Sequence, residues 1–239
     1  IGTGIFSSDG ALWRMHRKVA SHMFSQRLLR EGTKIAVDEC RSLVRRLLEA
    51  AKSKPRLSSD QDVDQDVDMQ DLFFQFTMDV FANIAFGVEL KSLERATPHP
   101  FAAAFDGAQE HAKNRLARPT WRVERLLWGL FPAERAFRRH IKVMDDFLAG
   151  VIHAKRRDAE ESRMGPDLIS RFLSKGGGFG HAEAFTDKEL RDIAANFLIA
   201  GRDTTACALS WTLFELIRNP HAAKLVREEA DRVFVEKPG

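Results

Sequence analysis

From Ile193 to Ile217 only three residues are charged, Arg202, Asp203 and Glu215. The apolar residues of this run follow helical spacing, so it reads as one helix that is apolar nearly all round, and such a helix is buried on most sides. Thr186-Asp187-Lys188-Glu189 marks its start as a capping box, in which the Thr and Glu side chains satisfy free backbone N–H groups. The predicted element, about 186–218, is far longer than the average helix of about 11–12 residues. It should run through the middle of the molecule. A bilayer needs roughly 20 predominantly apolar residues, and Arg202 and Asp203 break the run at its centre, so it is not read as a membrane span.

The other periodic segments are also helical, and no alternating strand pattern stands out, so the expected fold class is all-α. Asp9 is placed to cap a helix over 10–23. Gln26 to Lys54 is amphipathic, and Pro55 ends it. Asp71 to Phe86 is strongly apolar, with Gly87 placed to terminate it. Further helices are predicted over Pro100 to Leu116, Pro132 to about Ser162, and Asp167 to Ser174. Asn219 is placed to cap a last helix with Pro220 at its first position. "SSDQDVDQDVD" (58–68) reads as a solvated loop, because it lacks the glycine and the final glutamate of a calcium loop. "KGGGFG" (175–180) reads as a link, and "RPTWRVERLLWGLF" (118–131) as a connection between helices.

The 239 residues are 44% hydrophobic, enough for a substantial core. Lys and Arg number 37 against 34 Asp and Glu, and the signs are interspersed. A nucleic-acid face would be a stripe of one sign, so no nucleic-acid partner is expected. Cys40 and Cys207 fall inside helical patterns and are expected to be small buried thiols in a reducing compartment. The chain begins at Ile1 and stops at Pro238-Gly239 just after a helical run, so it is expected to be a piece of a longer protein.

The centre of the long helix, "NFLIAGRDTTACALSW" (196–211), places Gly201, Arg202, Asp203, Thr204 and Thr205 where leucines would serve packing better. Gly201 costs on the order of 1 kcal/mol relative to Ala, and in return lets a bulky object approach the backbone. Thr204 can turn its hydroxyl onto the Ala200 carbonyl, four residues back. Asp203 must be hydrated or paired, because an isolated buried carboxylate is costly. Two readings fit: an acid and an alcohol arranged to deliver protons, or a packing glycine with Asp203 salt-bridged to Arg202. Separately, "WRMHR" puts Trp13 and Arg17 on one face of a helix. They are either two donors for an acidic ligand or part of an amphipathic surface.

"AGRDTT" (200–205) resembles the oxygen-activation motif of the cytochrome P-450 haem monooxygenases, and "WRMHR" resembles that family's Trp-x-x-x-Arg. "GIFSSDGALWRMHRKVASHMFS", "VDMQDLFFQFTMDVFANIAFG" and "FLIAGRDTTACALSWTLFELIRNP" are similar, in that order, to the eukaryotic fatty-acid ω-hydroxylase branch. The resemblance covers essentially the whole chain. It implies the helical middle portion of a mainly-α single domain, 1–239, without the N-terminal anchor, the sheet region or the C-terminal loop that carries the haem-ligating cysteine. Neither Cys40 nor Cys207 has that loop's context, so no metal ligand is assigned within the chain. Glu160/Arg163, Glu215/Arg218 and Glu229/Arg232 repeat the spacing of the family's Glu-x-x-Arg helix without its place in the order.

The resemblance further implies haem (iron protoporphyrin IX) as cofactor, thiolate-ligated, with electrons from NADPH through a reductase. Asp203 and Thr204 take the catalytic roles, relaying protons and hydrogen-bonding the bound oxygen. Trp13, Arg17, Ala200 and Gly201 border the cofactor, and Phe101, Phe105, Phe197 and Thr205 the substrate, as does the loop from Ile1 to Phe6. The implied partners are O₂, a lipophilic substrate (a fatty acid by branch), the NADPH–cytochrome reductase and the surface of the endoplasmic reticulum membrane on its cytosolic face. Trp121, Trp128 and Phe131 are candidates to dip into that surface. Arg14, Lys18, Arg27 and Arg30 are candidates to dock an acidic reductase. As it stands the chain is expected to be inactive alone. The rivals are a non-catalytic helical scaffold or regulator, and a truncated pseudo-enzyme.

Overall fold

The computed structural model describes residues 2–21, 24–52, 67–163, 165–175 and 185–236. Regular structure among these residues is entirely helical: α1 (Gly10–Ser21), α2 (Gln26–Lys52), α3 (Met69–Phe86), α4 (Pro100–Leu116), α5 (Trp121–Leu126), α6 (Pro132–Glu160), α7 (Leu168–Lys175), α8 (Asp187–Arg218) and α9 (Pro220–Glu236), with a 3-10 turn at Ser92–Glu94. Most of the polar insert expected at 58–68, and the glycine run of 175–180 after its first residue, lie outside the described residues.

Local chemistry sets most boundaries where the sequence predicts them. Before α8, the Thr186 side chain accepts the Glu189 N–H, and the Glu189 carboxylate takes the Thr186 N–H at 2.8 Å. Asp68 caps α3 by accepting the Asp71 N–H at 2.9 Å. Gly87 ends α3 with φ 64°, a left-handed conformation that costs a glycine little. Two expectations need correction. The connection at 118–131 contains a short helix, α5. Asn219 does not turn its amide forward onto α9: Nδ2 donates back to the Glu215 carbonyl at 2.8 Å, serving the open end of α8.

The main core gathers α3, α4, α6, α7 and the first half of α8 around Phe86, Phe101, Phe105, Phe172, Leu190 and Ile193. Each such fully buried side chain stabilises the fold by about 1.5–3 kcal/mol. A smaller cluster joins α2 to α3 and α8 through Leu43, Leu72, Phe73 and Ala206. The expectation that α8 is buried on most sides holds only as far as Ala206. Beyond it, Leu209 and Leu213 touch the smaller cluster, whereas Trp211, Phe214 and Ile217 are exposed. A helix apolar all round needs neighbours on every side, and among the described residues this half has them on one side only. The two thiols, expected to be buried, are both exposed. Cys40 shares the outer face of α2 with the exposed Val37 and Val44, and Cys207 follows Thr204 on the open side of α8.

Candidate functional site

One strip of α8 remains open beside the core, and Thr204 stands on it. Its hydroxyl donates to the Ala200 carbonyl at 2.7 Å, the i−4 bond that Thr makes when it lies inside a helix. Thr204 is exposed, and Phe197, Ala200 and Thr205 are half-buried. The alcohol is therefore presented at the surface, with only a methyl group one turn before it.

Asp203 leaves the helix about 100° away from Thr204 and turns toward α4. Gln109 Nε2 donates to its Oδ2 at 2.8 Å, and Arg202 Nη1 to its Oδ1 at 3.2 Å. The same Arg202 Nη1 pairs with Asp106 Oδ1 at 2.6 Å. The Arg202 guanidinium lies 4.7 Å from the centre of the Phe74 ring and 5.3 Å from that of Phe105. Arg202 is only 4% exposed, and its Nε finds no partner among the described residues. Burial pushes the Asp106 carboxyl above its ordinary range, and the nearby Arg202 opposes this without cancelling it. An acid, two amide or guanidinium donors and a second carboxylate thus tie α8 to α4, with Asp203 at the edge nearest the open strip.

Gly201 has a different neighbour from the one expected. A Cβ at this position would overlap the Phe81 ring of α3. The missing side chain admits a packed aromatic, so Gly201 joins α8 to α3 and is not an empty space on the strip. The pairing of Asp203 with Arg202 belongs to the same packing reading. The Thr204–Ala200 bond is one that Thr33, Thr77 and Thr212 also make inside their helices, and it fits either reading.

Phe101 and Phe105 do not reach the strip either. Each is 1% exposed. The Phe101 ring lies 4.4 Å from that of Phe147 and 6.3 Å from Phe86. They belong to the main core, with no surface of their own to offer. Phe197 packs partly against the same core and keeps an edge free.

On α1 the buried side holds His16, Val19 and Ala20. Flanking it are Trp13, 43% exposed, and Arg17, also exposed. Neither the indole N–H nor the guanidinium has a hydrogen-bonding partner among the described residues. Two unpaired donors one turn apart fit a flat group bearing carboxylates.

Asp106, Gln109 and Phe81 were not singled out from the sequence. Asp106 and Gln109 stand three residues apart in the otherwise small and apolar "FAAAFDGAQ" (101–109), the spacing of two polar groups on one helix face. Phe81 gives no such signal, being one aromatic among many in α3.

Comparison with known proteins places the whole chain in one family. The family model described as Cytochrome P450 matches residues 1–238. Cytochrome P450 704B1 of Arabidopsis thaliana is 33% identical over 99% of this chain and 45% of its own length. Cytochrome P450 704C1 of Pinus taeda is 34% identical over 96% of this chain and 44% of its own. The crystal structure of the cytochrome P450DA heme domain superimposes with a TM-score of 0.78 at 25% identity, covering 98% of this chain and 46% of that one. The chain thus spans about half the length of the relatives it matches. It belongs to the cytochrome P450 family.

Proposed function

We propose that residues 1–239 are the helical middle of a single P450 domain, and that the full-length protein is a haem monooxygenase. It inserts one oxygen atom from O₂ into a C–H bond of a lipophilic substrate, a long-chain fatty acid by its resemblance to the ω-hydroxylase branch. The observation that carries the reading is the exposed Thr204 hydroxyl, back-bonded to Ala200 at 2.7 Å, beside an acid fixed on the same helix.

Haem with a cysteine thiolate on its iron, fed by NADPH through a reductase, supplies oxygen activation in this family. The chain's own residues do the rest. Trp13 and Arg17 hold the carboxylates of the cofactor. Ala200 keeps the strip low enough for a small molecule to lie beside it. The Thr204 Oγ–H rotates from the Ala200 carbonyl to hold a proton at the reacting oxygen. Asp203, loosened from Gln109, passes further protons through water; assistance of this sort is worth roughly 10²–10⁴ in rate. Phe197 and Thr205 border the substrate, and Phe101 and Phe105 act from the core on which Phe197 packs. Gly201 acts at one remove, by seating Phe81.

Partner surfaces complete the proposal. Around α5, Leu126 is 78% and Leu130 75% exposed, with Val123, Leu127 and Trp128 also in solvent. Arg138 lies 4.5 Å from the centre of the Trp128 ring. Apolar tips among arginines suit the interface of a membrane, here the cytosolic face of the endoplasmic reticulum. No helix among the described residues is long and apolar enough to cross a membrane. Arg14, Lys18, Arg27 and Arg30 are exposed and suit an acidic reductase surface.

The test uses the full-length protein with its reductase, NADPH and a long-chain fatty acid under ¹⁸O₂. One labelled oxygen in a hydroxylated product is expected. NADPH consumption without any labelled product, across fatty acids of several lengths, would remove the proposed substrate class.

A further inference from the structure

Two polar residues, Asp192 and Asn196, are buried in the half of α8 that packs on the main core, at 2% and 0% exposure. They stand four residues apart, on the row that continues to Ala200 and Thr204. Both are engaged by the segment that precedes α1. The Thr3 N–H donates to Asp192 Oδ2 at 2.9 Å, and the Phe6 N–H donates to Asn196 Oδ1 at 2.9 Å. Asn196 Nδ2 donates to the Asp192 carbonyl at 2.7 Å, which fixes which way its amide faces. The approach is close: a Cβ on Gly2 would overlap the Asp192 carboxylate, and one on Gly4 the Asn196 amide. Lys188 and Arg191 hold the carboxylate from the other side at 3.0 and 2.6 Å. Burial pushes the Asp192 carboxyl up, but the Thr3 N–H and the two cations outweigh it and hold it down at about 2.

The clasped segment is itself a compact turn. The Ser7 and Ser8 N–H groups both donate to the Gly4 carbonyl at 3.0 Å, and the Ser7 hydroxyl donates to the Gly2 carbonyl. The Trp13 N–H then donates to the Asp9 carbonyl at 3.3 Å, joining the turn to α1. The later part of α1 is anchored separately, by Val19 and Ala20 in the core and by His16 beside Phe185. The end that carries Trp13 is held relative to α8 by the clasp, with Ile5 and Met15 packed partly against the core.

We propose that Asp192 and Asn196 are positioning residues that set α1 against α8, and so set Trp13 and Arg17 at the right distance from the Ala200–Thr204 strip. The proposal rests on the reading of Trp13 and Arg17 as cofactor donors. Without the clasp, α1 pivots about Val19 and Ala20, and Trp13 moves further than Arg17.

The test is made on the full-length haem-loaded protein, with Asn196→Ala, Asp192→Asn and Arg17→Ala, and with Asn196→Ala combined with Arg17→Ala. Hydrogen exchange over residues 2–8 and the rate of haem transfer to apomyoglobin are the two readouts. Asn196→Ala is expected to speed exchange about tenfold, the effect of one lost buried hydrogen bond on a local opening, and to speed haem transfer with it. Asp192→Asn, which keeps the side chain's size and one acceptor oxygen, should act in the same direction more weakly, and it carries the comparison if the alanine variant does not fold. Arg17→Ala should speed transfer in the native background and add less when Asn196 is already replaced. If exchange rises while haem transfer stays unchanged, and Arg17→Ala still speeds it, the clasp has no positioning role. If Arg17→Ala itself leaves transfer unchanged, the cofactor reading fails and the proposal fails with it.

Discussion

Thr204 donates to the Ala200 carbonyl across 2.7 Å on the open side of α8. Asp203, one residue earlier, is held away from that side by Gln109 of α4. The alcohol stands exposed at the surface, and the acid is engaged by both Gln109 and Arg202. Neighbours in sequence reach different surroundings because successive side chains leave a helix about 100° apart.

Replacing Thr204 by Ala should leave stability within about 0.5 kcal/mol, since the side chain is exposed. The effect should appear in coupling: the full-length enzyme diverts electrons from NADPH into hydrogen peroxide in place of product. Thr204→Ser, which keeps the hydroxyl, should restore much of the coupling. Measuring peroxide and product per NADPH decides it, and an alanine variant as well coupled as the native enzyme counts against the role given to Thr204.

Gly201→Ala would gain helix propensity of about 1 kcal/mol but must displace Phe81. Overpacking of this kind costs about 1–3 kcal/mol, so a net loss in denaturant melts is expected. Phe81→Ala in the same chain should recover part of it. A gain in stability from Gly201→Ala alone would mean that Phe81 does not seat against this glycine.

Arg202 is buried between two rings, and its strongest partner, Asp106, is half in solvent. Asp106→Ala leaves a buried cation with only the weaker Asp203 contact and should cost about 1–3 kcal/mol, the penalty of a buried donor left short of its partner. Arg202→Met, which removes the charge and keeps the bulk, should cost less than that. Equal losses for the two variants in urea unfolding would show that packing, and not the charge left behind, sets the effect.

What could be read from the sequence follows from the range of the forces involved. The Thr186–Glu189 box, the Pro100 start of α4, the Gly87 end of α3 and the Thr204–Ala200 bond are local, and each forms where spacing puts it. The pairings that assemble the site are not local. Phe81 reaches Gly201, Gln109 reaches Asp203, and Thr3 reaches Asp192 only after several helices have packed. Helical period tells which face a residue occupies but not what will cover that face. For the same reason Cys40, Cys207 and the second half of α8 read as buried and are in fact exposed. Asp192 and Asn196 carry only a weak signal, two polar residues four apart on one helix face, and their Gly2 and Gly4 neighbours emerge only in the folded chain.

The pH dependence of stability should carry two opposing slopes. Burial, with Asp79, Glu89, Glu94 and Asp38 adding to it, pushes the Glu39 carboxyl up to about 7. The folded state then holds this proton more tightly than the unfolded state, so stability falls as pH rises from about 4.5 to 7. Burial holds the His16 imidazole below its ordinary value, opposed in part by Glu189. Here the unfolded state binds the proton better, and stability is lost as pH falls below about 6.5. Glu39→Gln should therefore stabilise at pH 8 by about 1 kcal/mol, after allowance for solvent screening of a half-buried group, and should do nothing at pH 4. Thermal melts across this range check it, and an equal gain at both pH values would contradict the assignment.

The most direct measurement is the crystal structure of the full-length protein with its haem. The macrocycle should lie against the Ala200–Thr204 strip, with its propionates on the Trp13 indole and the Arg17 guanidinium. If that strip is covered by aliphatic side chains and both donors remain in solvent, the central claim is wrong.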